Sequence, residues 1–284
     1  MTVCIAASYM IKPGWDGVAT AVDWKLTDTQ TGITSETGSK AVSIARNIVA
    51  LGADDMDLFH DVIDRVDVKI GALSSYPPTV SQVADLYLEA EADWRQEYLQ
   101  RHVLSKQGIT WESLFDKMAK DELSQSYVEN IQHHLGQCEV PYATEAIIAG
   151  TDDVAGLRVA RMFKITPHTK DNCSQKGFAI IGEGSLIADA EFQAALYDKF
   201  WPRAASLFLC FVAKRQSEVI SSVGRETSLQ VMNDNGDGFE HVSHKVYTAF
   251  EKAYNKLRNR KLKSERIIYE EAKKAFDQFQ VERW

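Results

Sequence analysis

The sequence predicts an α+β protein whose two β-sheets are covered by helices, a four-layer αββα sandwich. Three observations favour this fold class. The first fifty residues alternate and turn like antiparallel strands, helical periodicity then continues to about residue 140, and strands and helices follow each other again to the C-terminus. Antiparallel strands separated by pairs of helices bury their apolar faces when the helices cover the outer sides of the sheets.

Strand patterns dominate the N-terminal segment. Val3, Ile5 and Ala7 occupy alternate positions, which predicts a strand at the start of the chain. Pro, Gly, Thr and Ser mark the turns between the strands that follow. A turn, a second strand, a loop or further hairpin, and a strand pair that ends at Gly52 are predicted at residues 11–17, 18–24, 27–38, 40–44 and 47–51.

Helices and a second group of strands follow. Apolar residues from Met56 to Val66 share one helical face, and two aspartates precede them, where a helix N-terminus favours negative charge. Further helices are predicted at residues 79–98, 111–135, 184–200 and 202–220, further strands at 146–150, 157–165, 178–182 and 229–232, and two helices at the end of the chain.

No segment has the composition of a linker, so one domain is predicted over residues 1–284. Two helical parts stand out from the strand-rich remainder. They are an insertion at about residues 77–140 and a C-terminal extension at about residues 239–284. Seven basic residues between Lys252 and Arg266 form either a solvated helix face or a docking surface for an acidic partner or a neighbouring subunit.

Composition narrows the class of protein. The chain has 284 residues, 45% of them hydrophobic and 25% charged, which is typical of a globular domain. A net charge of −8 argues against a nucleic-acid partner, and no apolar stretch is long enough to cross a membrane. Four scattered cysteines and the absence of a basic n-region before the N-terminal apolar residues predict a cytoplasmic protein with free, buried thiols.

Thr2 is the residue with the most informative chemistry. Methionine is commonly removed before a small residue, and Thr2 would then carry a hydroxyl and a free α-amine. An α-amine has a pKa of about 7.7–8.0, so part of it is neutral near neutral pH and can accept the hydroxyl proton. This is the threonine form of a nucleophile paired with its base.

Two charged residues stand at strand ends that suit this chemistry. Asp23 ends the second predicted strand, and Lys40 opens a later one. A lysine near the threonine would favour ionisation of its hydroxyl, and an aspartate would hold that lysine in place. Each also has a purely structural explanation, Lys40 as an exposed edge residue and Asp23 as a partnered carboxylate.

The order of these features resembles the proteasome β-subunit family, which includes HslV-type and Anbu-type relatives and belongs to the N-terminal nucleophile hydrolases. The resemblance continues through the strand into Gly150-Thr151-Asp152, the helix start at Gly182-Glu183-Gly184-Ser185 and the Val223-Gly224 turn, and it covers residues 2–235. The family's Asp-x-x-Ser-Gly motif is not reproduced before Gly224, although Ser221 or Ser222 could substitute for its serine.

The resemblance implies a role for each matching residue. Thr2 corresponds to the nucleophile, Lys40 to the lysine that tunes it, and Asp23 to the carboxylate partner of that lysine. Gly52 corresponds to the glycine whose N–H stabilises the oxyanion, and Ser185 to the serine that orients the N-terminal amine. Cys4, although close to Thr2 in the sequence, is expected to be a core residue.

The resemblance further implies a threonine-type peptidase that acts on peptides or proteins within a homo-oligomeric ring, with an ATPase (unfoldase) as a conceivable partner and with no cofactor. Two alternatives remain open. One is a small-molecule amidohydrolase of the same fold, which a closed small pocket would favour. The other is a catalytically silent assembly subunit, which a retained Met1 would favour.

Two sequence patterns imitate metal sites. Residues 233–238 resemble the start of a calcium-binding EF-hand loop, but His244 stands where the final acidic ligand is required. His133 and His134 with Cys138 lack a fourth zinc ligand at suitable spacing. A polar turn and ordinary helix residues are therefore the preferred interpretations.

Overall fold

The computed structural model describes residues 2–23, 26–27, 34–35, 40–74, 76–138, 145–166 and 169–260. These residues form a mixed α+β structure with a large sheet and seven α-helices. The strands are β1 Cys4–Lys12, β2 Trp15–Asp23, β3 Leu26–Thr27, β4 Thr34–Ser35, β5 Ala41–Ala45, β6 Ile48–Gly52, β7 Ala146–Val154, β8 Leu157–Thr166, β9 Thr169–Asn172, β10 Phe178–Ile181, β11 Thr227–Met232 and β12 Phe239–His241.

Helices pack against the sheet in two groups, and two further helices form a separate cluster. A π-helical turn, Gln100–Leu104, and a short 3-10 turn, Ser105–Gln107, continue the helix that ends at Leu99. The α-helices are α1 Met56–Gly71, α2 Val80–Leu99, α3 Trp111–Ala119, α4 Gln125–Gln137, α5 Ser185–Ala194, α6 Arg203–Ser217 and α7 His244–Arg260.

Ten strands are hydrogen-bonded into one continuous sheet, whereas two sheets were expected. The order is β10-β1-β2-β8-β7-β6-β5, with β11 and β12 added beside β2 and β9 beside β8. Within this order, β10, β1 and β2 form one group of strands, and β8, β7, β6 and β5 form the other. The two groups are joined by a parallel contact between β2 and β8, in which Trp15 pairs with Arg158. The short strands β3 and β4 pair with each other, as a further hairpin requires.

Side chains alternate along the strands between three apolar cores, because successive residues of a strand point to opposite faces. The α5–α7 core packs Ile5, Ala7, Tyr9, Phe192, Phe208, Phe211 and Phe250. The α1–α2 core packs Ile48, Ala50, Ile148, Phe59, Val62, Val83 and Tyr87. The central core joins both groups of strands through Cys4, Ala6, Val18, Val49, Leu51, Ile147, Ala149, Met162 and Ile181.

The helix starts follow local signals in the sequence. Asp55 caps α1 by accepting a hydrogen bond from the Leu58 N–H at 3.0 Å. Thr79 and Gln82 form a reciprocal capping box at the start of α2, and Asp152 accepts the Val80 N–H at 2.9 Å. The predicted helix boundaries at residues 56 and 79 are thus reproduced within one residue.

The predicted helix at residues 111–135 is two helices in the structure. Asp121 adopts a left-handed backbone, with φ at 56°, and Ser124 caps α4 by accepting the Tyr127 N–H. A left-handed residue cannot continue a right-handed helix, so the segment breaks there. The strands β9 and β12 were not predicted, because they are short and mostly polar.

Several sequence features lie outside the described residues. They include Met1, Trp24 and Lys25 after Asp23, most of the loop at residues 27–38, the end of the predicted insertion at residues 139–140, and the second C-terminal helix beyond residue 260. Within the described part of the chain, no helix has both the length and the apolar character needed to cross a membrane.

Candidate active site

Antiparallel pairing of β1 with β2 brings Thr2 to Asp23. The register matches Cys4 with Val22, so the start of β1 lies beside the end of β2. Lys40 directly precedes β5, and its side chain reaches both Thr2 and Asp23. All three side chains are buried, with 1%, 0% and 2% of their surface exposed. The structure therefore brings together three of the five residues named from the sequence, in direct contact.

The three side chains form a closed triangle of hydrogen bonds. The Lys40 ammonium donates from Nζ to Thr2 Oγ1 at 2.6 Å and to Asp23 Oδ1 at 2.9 Å. The Thr2 hydroxyl donates to the same carboxylate oxygen. Hydrogen bonds that involve charged groups are the stronger ones, and the low dielectric of a buried site strengthens them further.

Backbone donors complete the shell around Asp23. The Val3 N–H donates to Oδ1 at 3.3 Å, and the Gly224 N–H donates to Oδ2 at 2.7 Å. Gly224 lies in the turn before β11, which pairs with β2 so that Thr227 faces Asp23. A buried carboxylate needs such partners, because desolvation without them costs several kcal/mol, about 2–7 for even an uncharged polar group.

The turn between β10 and α5 packs directly on Thr2. The Gly184 N–H donates to the Thr2 carbonyl at 3.2 Å. Gly182 has a φ of 85°, and a Cβ there would lie 2.4 Å from that same carbonyl oxygen. Ser185 is the first residue of α5 and follows this turn. It therefore lies in the segment next to Thr2, and its proposed role toward an N-terminal amine stays a prediction.

Gly52 has a different set of contacts from the one its predicted role requires. Its N–H donates to the Lys40 carbonyl at 2.9 Å, within the pairing of β5 and β6. A Cβ at this position would lie 2.5 Å from the Phe59 ring, so packing alone explains the glycine. The oxyanion role stays a prediction, and it requires this N–H to give up its bond to Lys40.

Cys4 is a core residue, as its position in the strand predicted. It is fully buried, and its thiol donates from Sγ to the Gly52 carbonyl at 3.2 Å. Burial raises the pKa of this thiol to about 12, although the nearby Lys40 partly offsets the shift. Cys210 is also buried, whereas Cys138 and Cys173 are partly exposed, contrary to the expectation of buried thiols throughout.

Sequence reasoning missed two residues of α6 that support this site. Lys214 is fully buried and contacts the Gly224 turn. The Ser217 hydroxyl lies 3.0 Å from the Gly184 carbonyl and 2.9 Å from the Ala213 carbonyl, so its proton is shared between the two. Burial lowers the pKa of the Lys214 ammonium, and Glu218 partly offsets this shift. The sequence does contain a sign that Lys214 is buried. It directly follows the apolar run at residues 207–213, and the helix continues through it without a break.

Acidic side chains surround the end of the sheet at which Thr2, Asp23 and Lys40 meet. Glu145 accepts the Gly182 N–H at 2.8 Å, and Glu183 accepts the hydroxyl of Ser222. Asp54, which follows β6, has its pKa raised by burial and by the nearby charge of Glu145. Ser222 thus contacts the β10–α5 turn and not Asp23.

No group of three or more His, Cys, Asp or Glu side chains in the described ranges is arranged to hold a metal ion. The EF-hand-like segment is a polar turn. Asn233 accepts the N–H groups of Gly236 and Asp237, and the Asp234 carboxylate pairs with Arg203 at 2.6 Å.

No family model matches this sequence, and no curated protein matches it significantly. Solved structures do match. One is a Gly-1 mutant of Anbu from Hyphomicrobium sp. strain MC1, with a TM-score of 0.58 and 13% sequence identity over 92% of this chain and 96% of that chain. At this identity the likeness shows a shared fold.

Proposed function

We propose that the protein is a threonine-type amide hydrolase, a peptidase of the proteasome-like class, in which Thr2 becomes the N-terminal nucleophile after removal of Met1. One observation carries the proposal: the buried Lys40 ammonium lies 2.6 Å from Thr2 Oγ1 and 2.9 Å from Asp23 Oδ1. A cation at this distance stabilises the alkoxide that develops when the hydroxyl loses its proton.

Removal of Met1 supplies the base. The nitrogen of Thr2 is an amide in the full-length chain, and hydrolysis of the Met1–Thr2 bond turns it into an amine with a pKa of about 7.7–8.0. The amine takes the proton from Oγ1 as Oγ1 bonds to the substrate carbonyl carbon. It then passes the proton to the leaving amine, and the resulting acyl-enzyme ester is hydrolysed by water.

Two further roles belong to the proposal. The Gly52 N–H stabilises the oxyanion of the tetrahedral intermediate, once it is released from the Lys40 carbonyl. Ser185 orients the new amine from the first turn of α5. The contact between Gly184 and Thr2 supports the second role, because it holds this turn against the nucleophile.

The architecture supports the assignment at a larger scale. Two helix-covered cores and a central core between the strand groups are what a four-layer αββα sandwich requires, although the strands share one hydrogen-bonded network. The fold shared with Anbu supports the proteasome-like class. We further propose a cytoplasmic homo-oligomeric ring that degrades peptides or proteins, with an unfoldase as its partner.

The test is intact-mass measurement of the native protein before and after treatment with a threonine-reactive epoxyketone. We expect loss of Met1 and one adduct per chain, located at Thr2 by peptide mapping. Lys40→Ala is expected to abolish the adduct in a chain that remains folded. Native mass spectrometry of the same sample reports the oligomer.

Two control variants sharpen the result. Thr2→Ser keeps a hydroxyl nucleophile and should label, whereas Thr2→Ala should not. A retained Met1 with no adduct would refute the enzyme and favour the silent assembly subunit. Labelling together with hydrolysis of small amides but not of peptides would favour the amidohydrolase, and unchanged labelling of Lys40→Ala would remove Lys40 from the mechanism.

A further inference from the structure

Lys214 is a buried cation that the proposed reaction does not use. None of its side chain is exposed, and its Nζ donates to the Gly224 carbonyl at 2.7 Å, to the Arg225 carbonyl at 2.9 Å and to Glu218 Oε1 at 2.7 Å. An ammonium has three donors, so its hydrogen-bonding capacity is filled. Two of the three bonds fix the backbone of one turn.

That turn ends at the candidate active site. The Gly224 N–H donates to Asp23 Oδ2 at 2.7 Å, while the carbonyl of the same residue accepts from Lys214. Glycine has no side chain to limit its φ and ψ, so contacts on both of its sides are needed to fix its orientation. The other oxygen of Asp23 receives Lys40 and Thr2.

We propose that Lys214 is a positioning residue of the Thr2 site: it holds Gly224 so that the Gly224 N–H fixes the Asp23 carboxylate against Lys40. This inference rests on the proposed function. Ser217, one helical turn further along α6, shares its hydroxyl proton between the Ala213 carbonyl of its own helix and the Gly184 carbonyl, in the turn that contacts Thr2. The helix α6 thus supports both segments that touch the reacting residues.

Stability alone does not explain a lysine at this position. Replacing a buried ion pair with apolar side chains of similar size is often neutral or stabilising, because desolvation of the charges offsets their attraction. The neighbouring residues of α6 that face the α5–α7 core are apolar, so a methionine or leucine would suit this helix. What an apolar residue cannot supply is a donor for the two carbonyls of the turn.

The test compares Lys214→Met with Arg215→Met in the full chain. Arg215 is the control for the ion pair, because it pairs with the same Glu218 at 2.8 Å from the next position of α6, and it also pairs with Glu251 of α7 at 3.0 Å. It donates to the Arg225 carbonyl at 3.3 Å but has no hydrogen bond with Gly224 among the described residues. The double variant Lys214→Met/Glu218→Leu also removes the carboxylate, which after Lys214→Met keeps, among the described residues, only its pairing with Arg215.

Two measurements are made on each variant. One is the rate of epoxyketone labelling at Thr2 against reagent concentration, which separates the maximal rate from the binding constant. The other is hydrogen exchange in peptides spanning residues 221–227. We expect Lys214→Met and the double variant to lower the maximal labelling rate about tenfold or more with unchanged reagent binding, since small misplacements of reacting groups have effects of this size. Exchange in the turn should rise.

The outcomes separate this inference from the proposed function. If the wild type is not labelled, the proposed function fails and the inference fails with it. If the wild type is labelled and Lys214→Met is labelled equally fast, or exchange in the turn is unchanged, only the role of Lys214 is overturned. Recovery of the rate in the double variant, or an equal loss in Arg215→Met, would also overturn it, because the defect would then be one of charge or helix stability.

Discussion

Asp23 is the residue on which the contacts of the candidate site converge. Its two oxygens accept bonds from the Lys40 ammonium, the Thr2 hydroxyl and the N–H groups of Val3 and Gly224. The carboxylate is fully buried, so its charge depends on these donors for stabilisation. Removing one donor therefore affects both the chemistry of the site and the stability of the fold.

At this scale we predict a coupling between Lys40 and Asp23. Lys40→Ala leaves a buried carboxylate without its counter-ion and should lower the free energy of unfolding by about 3–5 kcal/mol. Adding Asp23→Asn removes that charge and should recover part of the loss, although labelling at Thr2 stays absent. Denaturant unfolding of both single variants and the double variant measures the coupling. Strictly additive losses would show that the two residues do not interact.

Among the local elements, the turn between β10 and α5 is tightly constrained. Gly182 needs a left-handed backbone, and its Cα approaches the Thr2 carbonyl so closely that no side chain fits between them. Gly156, in the turn between β7 and β8, has a similar φ of 79° with open space around it. Substitutions at these two glycines can therefore be compared: both introduce backbone strain, but only the one at Gly182 introduces a clash with Thr2.

We predict that Gly182→Ala is more harmful than Gly156→Ala. Both substitutions place a Cβ at positive φ, which costs about 1–2 kcal/mol. Gly182→Ala additionally pushes on Thr2, so it should lose further stability and slow the labelling of Thr2, whereas Gly156→Ala should label like the wild type. Thermal unfolding and labelling rates check this. Equal effects of the two substitutions would mean that the turn does not position Thr2.

The helices α1 and α2 are joined by a surface ion pair with a predictable pH dependence. Arg65 donates to both oxygens of Glu97 at 2.8 and 2.9 Å, and these bonds lower the pKa of Glu97. A lowered folded-state pKa contributes stability above the unfolded-state pKa of Glu, and this contribution is lost as the pH falls through the folded-state value.

We therefore predict a small, pH-dependent effect of Glu97→Gln. Glu97 is exposed and Arg65 is partly exposed, so solvent screening limits the loss of stability at pH 7 to at most about 1 kcal/mol. The difference from the wild type should disappear at a pH below the folded-state pKa, where Glu97 is protonated in both states. Urea unfolding at several pH values measures it, and a loss independent of pH would assign the effect to packing.

Across the residues that the structure describes, three apolar cores are built on the sheet and a fourth cluster lies outside it. This α3–α4 core consists of Leu104, Ile109, Leu114 and Ile131. It lies within the predicted insertion and is much smaller than the cores on the sheet. A small core gives less cooperative stability than a large one.

At the scale of the molecule we predict that Ile131→Ala acts locally. Ile131 is 1% exposed, and truncating such a residue costs about 2–5 kcal/mol when the structure around it is cooperative. Hydrogen exchange should rise in residues 100–137 and stay unchanged in β6 and β7, and Thr2 should label normally. Asn130→Ala, at an exposed position of the same helix, is the control. Increased exchange throughout the sheet would contradict a separate unit.

Local patterns predicted most of the elements correctly. Alternation along β1, the apolar run of β6, the aspartates before α1 and the Thr79 cap of α2 are set by residues within a few positions of each other, so they can be read from the chain. The same logic missed β9 and β12, whose pairing depends on neighbouring strands and not on their own sequence.

The candidate site likewise has features that the local sequence predicts and features that depend on residues far apart in the chain. The sequence by itself determined the α+β class and named Thr2, Asp23 and Lys40, because strand ends and residue chemistry are local properties. Only the tertiary structure decided that these three side chains meet, that the Gly52 N–H is bonded to Lys40, and that Lys214 reaches Gly224 across the turn before β11. Hydrogen bonds between residues far apart in the chain depend on strand register and burial, and both are fixed only when the elements pack together.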